Sequence, residues 1–228
     1  MRIGLIVPSS NTVMEPDFHR HFSAPSIVST TRIFLETVTR EAEVRMLEED
    51  LPKAIQLIKT TAPDVVVFGC TSAGAVGSDD QIAQMIDQAT NARPVTVLGA
   101  VMANLQRIAP RKLAVFTPYI EDLTASIATS LAEAGYPPIK AAGMGIQFNL
   151  EIGKVPPSEI IRFVESHLDR VAPDCLFLSC TNWRAIETID ALQTKLGIPV
   201  LTSNQSAIAA VRQATAQHHA AAITDARS

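Results

Sequence analysis

The 228-residue sequence is short of charge: Asp, Glu, Lys and Arg make up 18% of it, against 47% hydrophobic residues, where roughly a quarter charged is usual for soluble domains. That balance excludes intrinsic disorder and requires a well-filled core. Neither sign of charge is in large excess. The net charge is −4 and the pI about 5.7, and Lys and Arg are scattered, which leaves no footprint for nucleic acid or an anionic membrane surface. Long apolar runs are missing as well. Mean hydropathy is +0.19, yet no stretch approaches the ~18 to 20 residues that span a bilayer. The opening MRIGLIVPSSN reaches Pro8 with neither a signal-peptide core nor a cleavage site. A cytoplasmic protein without membrane association is expected. Three cysteines, Cys70, Cys175 and Cys180, are too few for a disulfide framework and show no CxxC spacing, so any role they have is as thiols. GxGxxG, GxxxxGK[ST], GxSxG and HExxH do not occur, which removes support for dinucleotide, P-loop, hydrolase-elbow and zincin readings. His19 and His21 lie near Asp17, but two residues apart on a helix their rings diverge, and a solvated surface accounts for them better than a metal.

What is present is a series of short, continuously apolar runs rich in branched residues: 3 to 7, 64 to 70, 94 to 99, 112 to 117, 175 to 180 and 199 to 203. These read as parallel strands covered on both faces. Helical patterns alternate with them. From Ser158, an expected N-cap, the run SEIIRFVESHLDRVA places Ile160, Ile161, Val164, Leu168 and Val171 on one face. EDLTASIATSLAEAG ends on Gly135 and WRAIETIDALQTKLG on Gly197, each in the position of a C-terminal glycine cap. After the first run, Thr12 and Glu15 have capping-box spacing ahead of a further helix. The class is α/β with mainly parallel sheets.

Sliding the sequence against itself shows a repeat. Pro63-Asp64 and Pro173-Asp174, 110 positions apart, are each followed after five residues by Cys-Thr. The same offset carries Arg2, Ile3 and Pro8 onto Lys112, Leu113 and Pro118, and with a five-residue drift Pro94-Val95 falls on Pro199-Val200. Two similar α/β lobes are expected, residues 1–110 and 111–215, with a tail at 216–228 and with the C-terminal segment a candidate to cross back to the first lobe.

Ligands of parallel α/β sheets bind beyond the carboxyl ends of the strands, and Cys70 and Cys180 occupy that end in equivalent places. If the lobes face each other about a pseudo-twofold axis, the two thiols meet across one cleft, a geometry for opposed acid and base or for thiolate attack. Thr71 and Ser72 follow the first thiol, Thr181 and Asn182 the second, and their amides and hydroxyls near a helix start are expected to lower the thiol pKa and hold a carboxylate. Cys175 lies inside its strand and reads as a packing residue. At the first strand's end, Ser9, Ser10 and Asn11 form a loop in which Asn11 is placed to bind a carboxylate; the equivalent loop carries Tyr119, one of two tyrosines.

PSSNTVMEP, FGCTSAG, TPYIEDL and LSCTNWRAIETID together resemble the aspartate/glutamate racemase superfamily, in the branch containing maleate cis-trans isomerases and arylmalonate decarboxylases, over about residues 2 to 212. The resemblance implies two Rossmann-like lobes related by a pseudo-twofold axis, no metal and no organic cofactor, a small carboxylate substrate and homo-oligomers of two or more subunits. In the branch, isomerases and racemases keep a cysteine in both lobes and decarboxylases only the second; this chain has both. It implies substrate-binding roles for Asn11, Tyr119 and Asn149; Ser9, Thr71, Ser72, Thr181 and Asn182 are candidate binding residues beside them. It also implies a reaction in which the Cys70 thiolate adds to the double bond of maleate and Cys180 protonates the neighbouring carbon, ahead of rotation and elimination to fumarate. Amino-acid or hydantoin racemisation by the same two thiols, malonate decarboxylation and non-catalytic binding of a small acid are the alternatives.

Overall fold

Two parallel sheets of one design carry the chain in the computed structural model, which describes residues 1–169 and 171–225, with side chains described as far as residue 214. The first sheet has the order β2-β1-β3-β4, from β1 (Arg2–Pro8), β2 (Ile27–Ile33), β3 (Val65–Phe68) and β4 (Arg93–Thr96). The second repeats it as β6-β5-β7-β8, from β5 (Leu113–Thr117), β6 (Lys140–Gly143), β7 (Cys175–Leu178) and β8 (Val200–Thr202). The repeated Pro-Asp pairs fix the entry of β3 and β7. The Asp64 carboxylate accepts from the Arg2 amide at 2.7 Å, and that of Asp174 from the Arg111 and Lys112 amides at 3.0 Å. Each pair therefore holds its strand in register with the first strand of its own sheet.

The helices are α1 (Met14–His21), α2 (Arg40–Arg45), α3 (Leu51–Lys59), α4 (Thr71–Val76), α5 (Asp79–Thr90), α6 (Val97–Ile108), α7 (Glu121–Glu133), α8 (Asn149–Lys154), α9 (Pro157–Ser166), α10 (Ile189–Leu196) and α11 (Ser203–Asp225). A π-helical turn, Met46–Asp50, joins α2 to α3, and a 3₁₀ turn, Ile186–Thr188, precedes α10. Gly197 ends α10 with φ +67°, and Gly135 follows α7 with φ +90°, as the glycine positions required.

Several local expectations are corrected. The run from 94 to 99 is a strand only to Thr96, whose hydroxyl accepts from the Gly99 amide at 3.2 Å and so starts α6 at Val97. α9 begins at Pro157 with Pro156 as N-cap, because proline at the first helical position has no N–H to satisfy; Ser158 lies inside the helix, which ends at Ser166 before Leu168 and Val171. The capping box at Thr12 does not form. Asn11 Oδ1 accepts from the amides of Val13 and Met14, both at 3.0 Å, while Glu15 pairs with Arg32. β2 and β6 are edge strands with mostly part-buried residues, so neither carries the apolar signature of the inner strands. The segment expected as a tail continues α11 to Asp225; residues 226–228, and the side chains of His218 and His219, lie outside the described residues.

α3 and α5 cover one face of the first sheet, through Ile55, Ile58, Ile82 and Ile86. Its other face packs on α1, α6 and α11, where Ala207, Ile208, Val211 and Ala214 join Leu5, Val67 and Val95. α6 in turn places Val101 and Leu105 in the core of the second sheet. Each sheet thus sends the helix after its last strand to the other, and these two helices pack together.

Candidate active site

β3 and β7 stop short of the two thiols: Phe68 and Leu178 are the last strand residues, then Gly69 and Ser179, then Cys70 and Cys180. Cys70 is the N-cap of α4, and Cys180 opens a turn in which the Asn182 amide donates to its sulfur at 3.2 Å. Both are almost withdrawn from solvent, at 5% and 4% exposure. They converge as the repeat required. Cys180 repels the ionised form of Cys70, and burial, followed by the two thiols, holds up the pKa of Tyr119.

Hydrogen bonds between the halves fix this convergence. The Thr181 hydroxyl donates to the Gly69 carbonyl at 2.9 Å and accepts from Asn11 Nδ2 at 3.0 Å. The Thr71 and Ser203 hydroxyls meet at 2.9 Å. Asn182 binds the first loop and α8 together: its Oδ1 accepts from the Thr12 amide at 2.8 Å, and its Nδ2 donates to the Asn149 carbonyl at 2.6 Å. Asn149 Nδ2 donates to the Ser10 hydroxyl at 2.8 Å. The Asn149 amide and the Val38 amide pair across the halves with Glu36 and Gln147 carbonyls, at 2.9 and 2.7 Å. This short antiparallel contact sets α2 and α8 beside the thiols.

The predicted site residues are thus sorted. Asn11, Thr71, Ser72, Tyr119, Asn149, Thr181 and Asn182 are all buried around the two cysteines. Ser9 is not among them: it is exposed, and its hydroxyl accepts from the Leu35 amide at 3.1 Å, pinning the end of β2. Its neighbour Ser10 makes the contact with Asn149. Cys175 is buried within β7 with its sulfur on the Leu176 carbonyl.

The expected lowering of the thiol pKa by nearby amides is overturned. Burial pushes Cys70 well above its usual value and the Glu43 charge adds to the rise, outweighing the Ala73 amide and the nearby Ser72 hydroxyl. Burial likewise pushes Cys180 up to about 12, against hydrogen bonds from Tyr119 and the Asn182 and Trp183 amides. Withdrawing a thiolate from water costs more than two or three donors return at this depth. Both groups rest as thiols.

One buried group was missed from the sequence. Glu43, on α2, is fully buried, accepts a hydrogen bond from the Ser72 hydroxyl, and leaves Oε2 without a partner. Burial raises its pKa to about 8, opposed by Ser72 and Arg40. In REAEVRMLEED it looks like one carboxylate of a charged helix. The available signal is its spacing from Met46, three residues on and also buried: an acid within an apolar stripe. Among the described residues, no cluster of His, Cys, Asp and Glu is arranged to hold a metal ion, and no helix is long and apolar enough to cross a membrane.

Comparison with known proteins agrees with this geometry. The arylmalonate decarboxylase family profile matches residues 3–226. Maleate isomerase of Geobacillus stearothermophilus is 30% identical, over 91% of this chain and 88% of its own; arylmalonate decarboxylase of Bordetella bronchiseptica is 27% identical, over 89% and 85%. In structure, a cysteine-to-serine variant of Nocardia farcinica maleate cis-trans isomerase, with a covalently bound succinylcysteine intermediate, superposes with a TM-score of 0.85 at 22% identity, over 94% of this chain and 92% of that one. By sequence and by fold alike, the chain belongs to the arylmalonate decarboxylase family, in the branch that also holds the maleate isomerases.

Proposed function

We propose that this chain is a cofactor-independent isomerase that converts maleate to fumarate with Cys70 and Cys180. The observation carrying the reading is the pair of buried thiols from equivalent strand ends, one bonded by Tyr119 and the other beside Ser72. The relatives named as maleate isomerases support it, and so does the succinylcysteine adduct of the Nocardia enzyme, which is what addition of a thiol across maleate yields.

In this mechanism Cys70 Sγ forms a bond to one vinylic carbon and gives up its proton to a base of the site, which returns it when the bond breaks. The π electrons move toward the adjoining carboxylate, and the other vinylic carbon takes the proton of Cys180. The former double bond is now single and rotates. Cys180 takes back a proton, the C–S bond breaks with its electrons returning to Cys70, and fumarate leaves. Tyr119 stabilises the transient Cys180 thiolate by donating to it. The amides of Thr71, Ser72, Thr181 and Asn182, with Asn11 and Asn149, hold the substrate carboxylates and the enolate-like charge, a preorganised array in a site sheltered from water. Racemisation would use the same thiols as acid and base without a lasting bond, and is the second choice. A cytoplasmic homo-oligomer completes the reading.

Proton NMR of the vinylic signals of maleate tests it. Conversion to fumarate is expected in the unmodified protein and lost in both Cys70→Ser and Cys180→Ser. Turnover that survives Cys70→Ser, or exchange of deuterium at the α-carbon of an amino acid in place of maleate conversion, overturns it.

A further inference from the structure

Glu43 is absent from the mechanism above, yet its carboxyl group reaches the nucleophile through one atom. Ser72 Oγ lies 3.7 Å from Cys70 Sγ and hydrogen-bonds Glu43 Oε1. Once Glu43 is ionised it can only accept, so the serine proton then points to Glu43 and a serine lone pair faces the thiol. This is the direction in which a proton would leave Cys70. Glu43 is held there by the pairing of its preceding segment with the residues before α8, by the Thr39 carbonyl accepting from its amide at 3.0 Å, and by the Thr39 hydroxyl capping α2.

We propose that Glu43 is the proton acceptor for Cys70, acting through the Ser72 hydroxyl. The inference rests on Cys70 as the nucleophile. As the S–C bond forms, Cys70 passes its proton to Ser72 Oγ, and Ser72 passes its own to Glu43 Oε1. When the C–S bond breaks, the same two transfers run backwards, and no proton is gained or lost over the cycle. A thiol raised by burial never has to stand alone as a thiolate. Its negative charge is drawn from Glu43 as the substrate takes it up. Glu43 is a positioning residue in this scheme, since it acts on sulfur through Ser72.

The charged and titratable groups facing Glu43 are Arg40 from its own helix, Cys70 and Ser72 at the head of α4, and Cys180 and Tyr119 from the second sheet. Arg40 alone is cationic. Because burial raises the Glu43 pKa to about 8, the acceptor form appears as pH climbs through that value.

The test is the rate of Cys70 alkylation by iodoacetamide, followed by peptide mass mapping from pH 6 to 10, a measurement that needs no maleate. In the unmodified protein the rate should rise in a one-proton step near pH 8. Glu43→Gln, which keeps the shape and the hydrogen bond from Ser72, should abolish the step and slow alkylation about 100-fold above it, within the range for general-base assistance. Ser72→Ala should do the same, and the double variant should be no slower than the slower single. With maleate, kcat should fall in both variants with KM changed less than about threefold. A Glu43 that merely repels the thiolate predicts the opposite sign: Glu43→Gln would alkylate as fast or faster, and that result overturns the proposal. If Glu43→Gln fails to fold, Ser72→Ala decides, and alkylation at the unmodified rate with the step intact counts against the relay. Maleate turnover in the unmodified protein judges the isomerase reading separately.

Discussion

The Thr181 hydroxyl donates to the Gly69 carbonyl at 2.9 Å, so the residue after one of the two paired cysteines is bonded to the residue before the other. The bond has no chemistry of its own in the reaction. It sets how far apart two strand ends from different sheets can stand, and therefore where the thiols meet.

Thr181→Val keeps the shape and removes the hydroxyl. It strands the Gly69 carbonyl and one N–H of Asn11 Nδ2 in a buried place, and each orphan costs about 1–3 kcal/mol. A fall in Tm of about 5–10 °C is expected for a chain of this size, read by thermal unfolding under circular dichroism. Turnover should fall more steeply than stability.

Gly69→Ala tests the same spot from the steric side. A methyl group there would stand 2.5 Å from Met14 Sδ and 2.9 Å from Val7 Cγ1, both in the first core, and 3.1 Å from the Ile6 carbonyl. Overpacking of this kind costs about 1–3 kcal/mol. Denaturant unfolding should show a lower midpoint with an unchanged slope.

Tyr119→Phe removes the hydroxyl that holds down the pKa of Cys180. Cys180 becomes a weaker acid and its thiolate loses a donor, worth about 1.5–3 kcal/mol for a hydrogen bond to a charged group. Steady-state kinetics should show kcat down roughly 10- to 100-fold, with a smaller change in KM.

Glu43 makes a prediction about stability alone. In the unfolded chain its carboxyl ionises near its ordinary value of 4.5, while in the fold it keeps its proton to about 8. Between those values the folded state binds the extra proton, so stability falls as pH rises, by about 1.4 kcal/mol per unit at most. Urea unfolding from pH 5 to 8 should show a loss of a few kcal/mol that Glu43→Gln largely removes.

The strands that were legible in the sequence are those buried on both faces, such as VVVF and CLFL, because burial leaves an uninterrupted apolar run. β2 and β6 were not, since their mostly part-buried positions break the apolar run, whereas the other two edge strands, β4 and β8, keep a buried stretch. The cysteine pair was legible because a repeat converts two distant positions into one statement about geometry. Glu43 was not: its burial is decided by Ser72, 29 residues further on, and by a contact with the segment before α8. Ser9 and Ser10 could not be told apart from sequence either, as which hydroxyl faces inward depends on the turn after Pro8.

The exchange of α6 and α11 has a consequence for how the chain comes into being. A fragment ending near residue 110 would have its four strands, but one face of its sheet would lack Ala207, Ile208, Val211 and Ala214, and its own α6 would hold Val101 and Leu105 out to water. The second half alone would be missing those same two side chains from its core. Neither half closes its own core, so the two are expected to gain and lose their packing together.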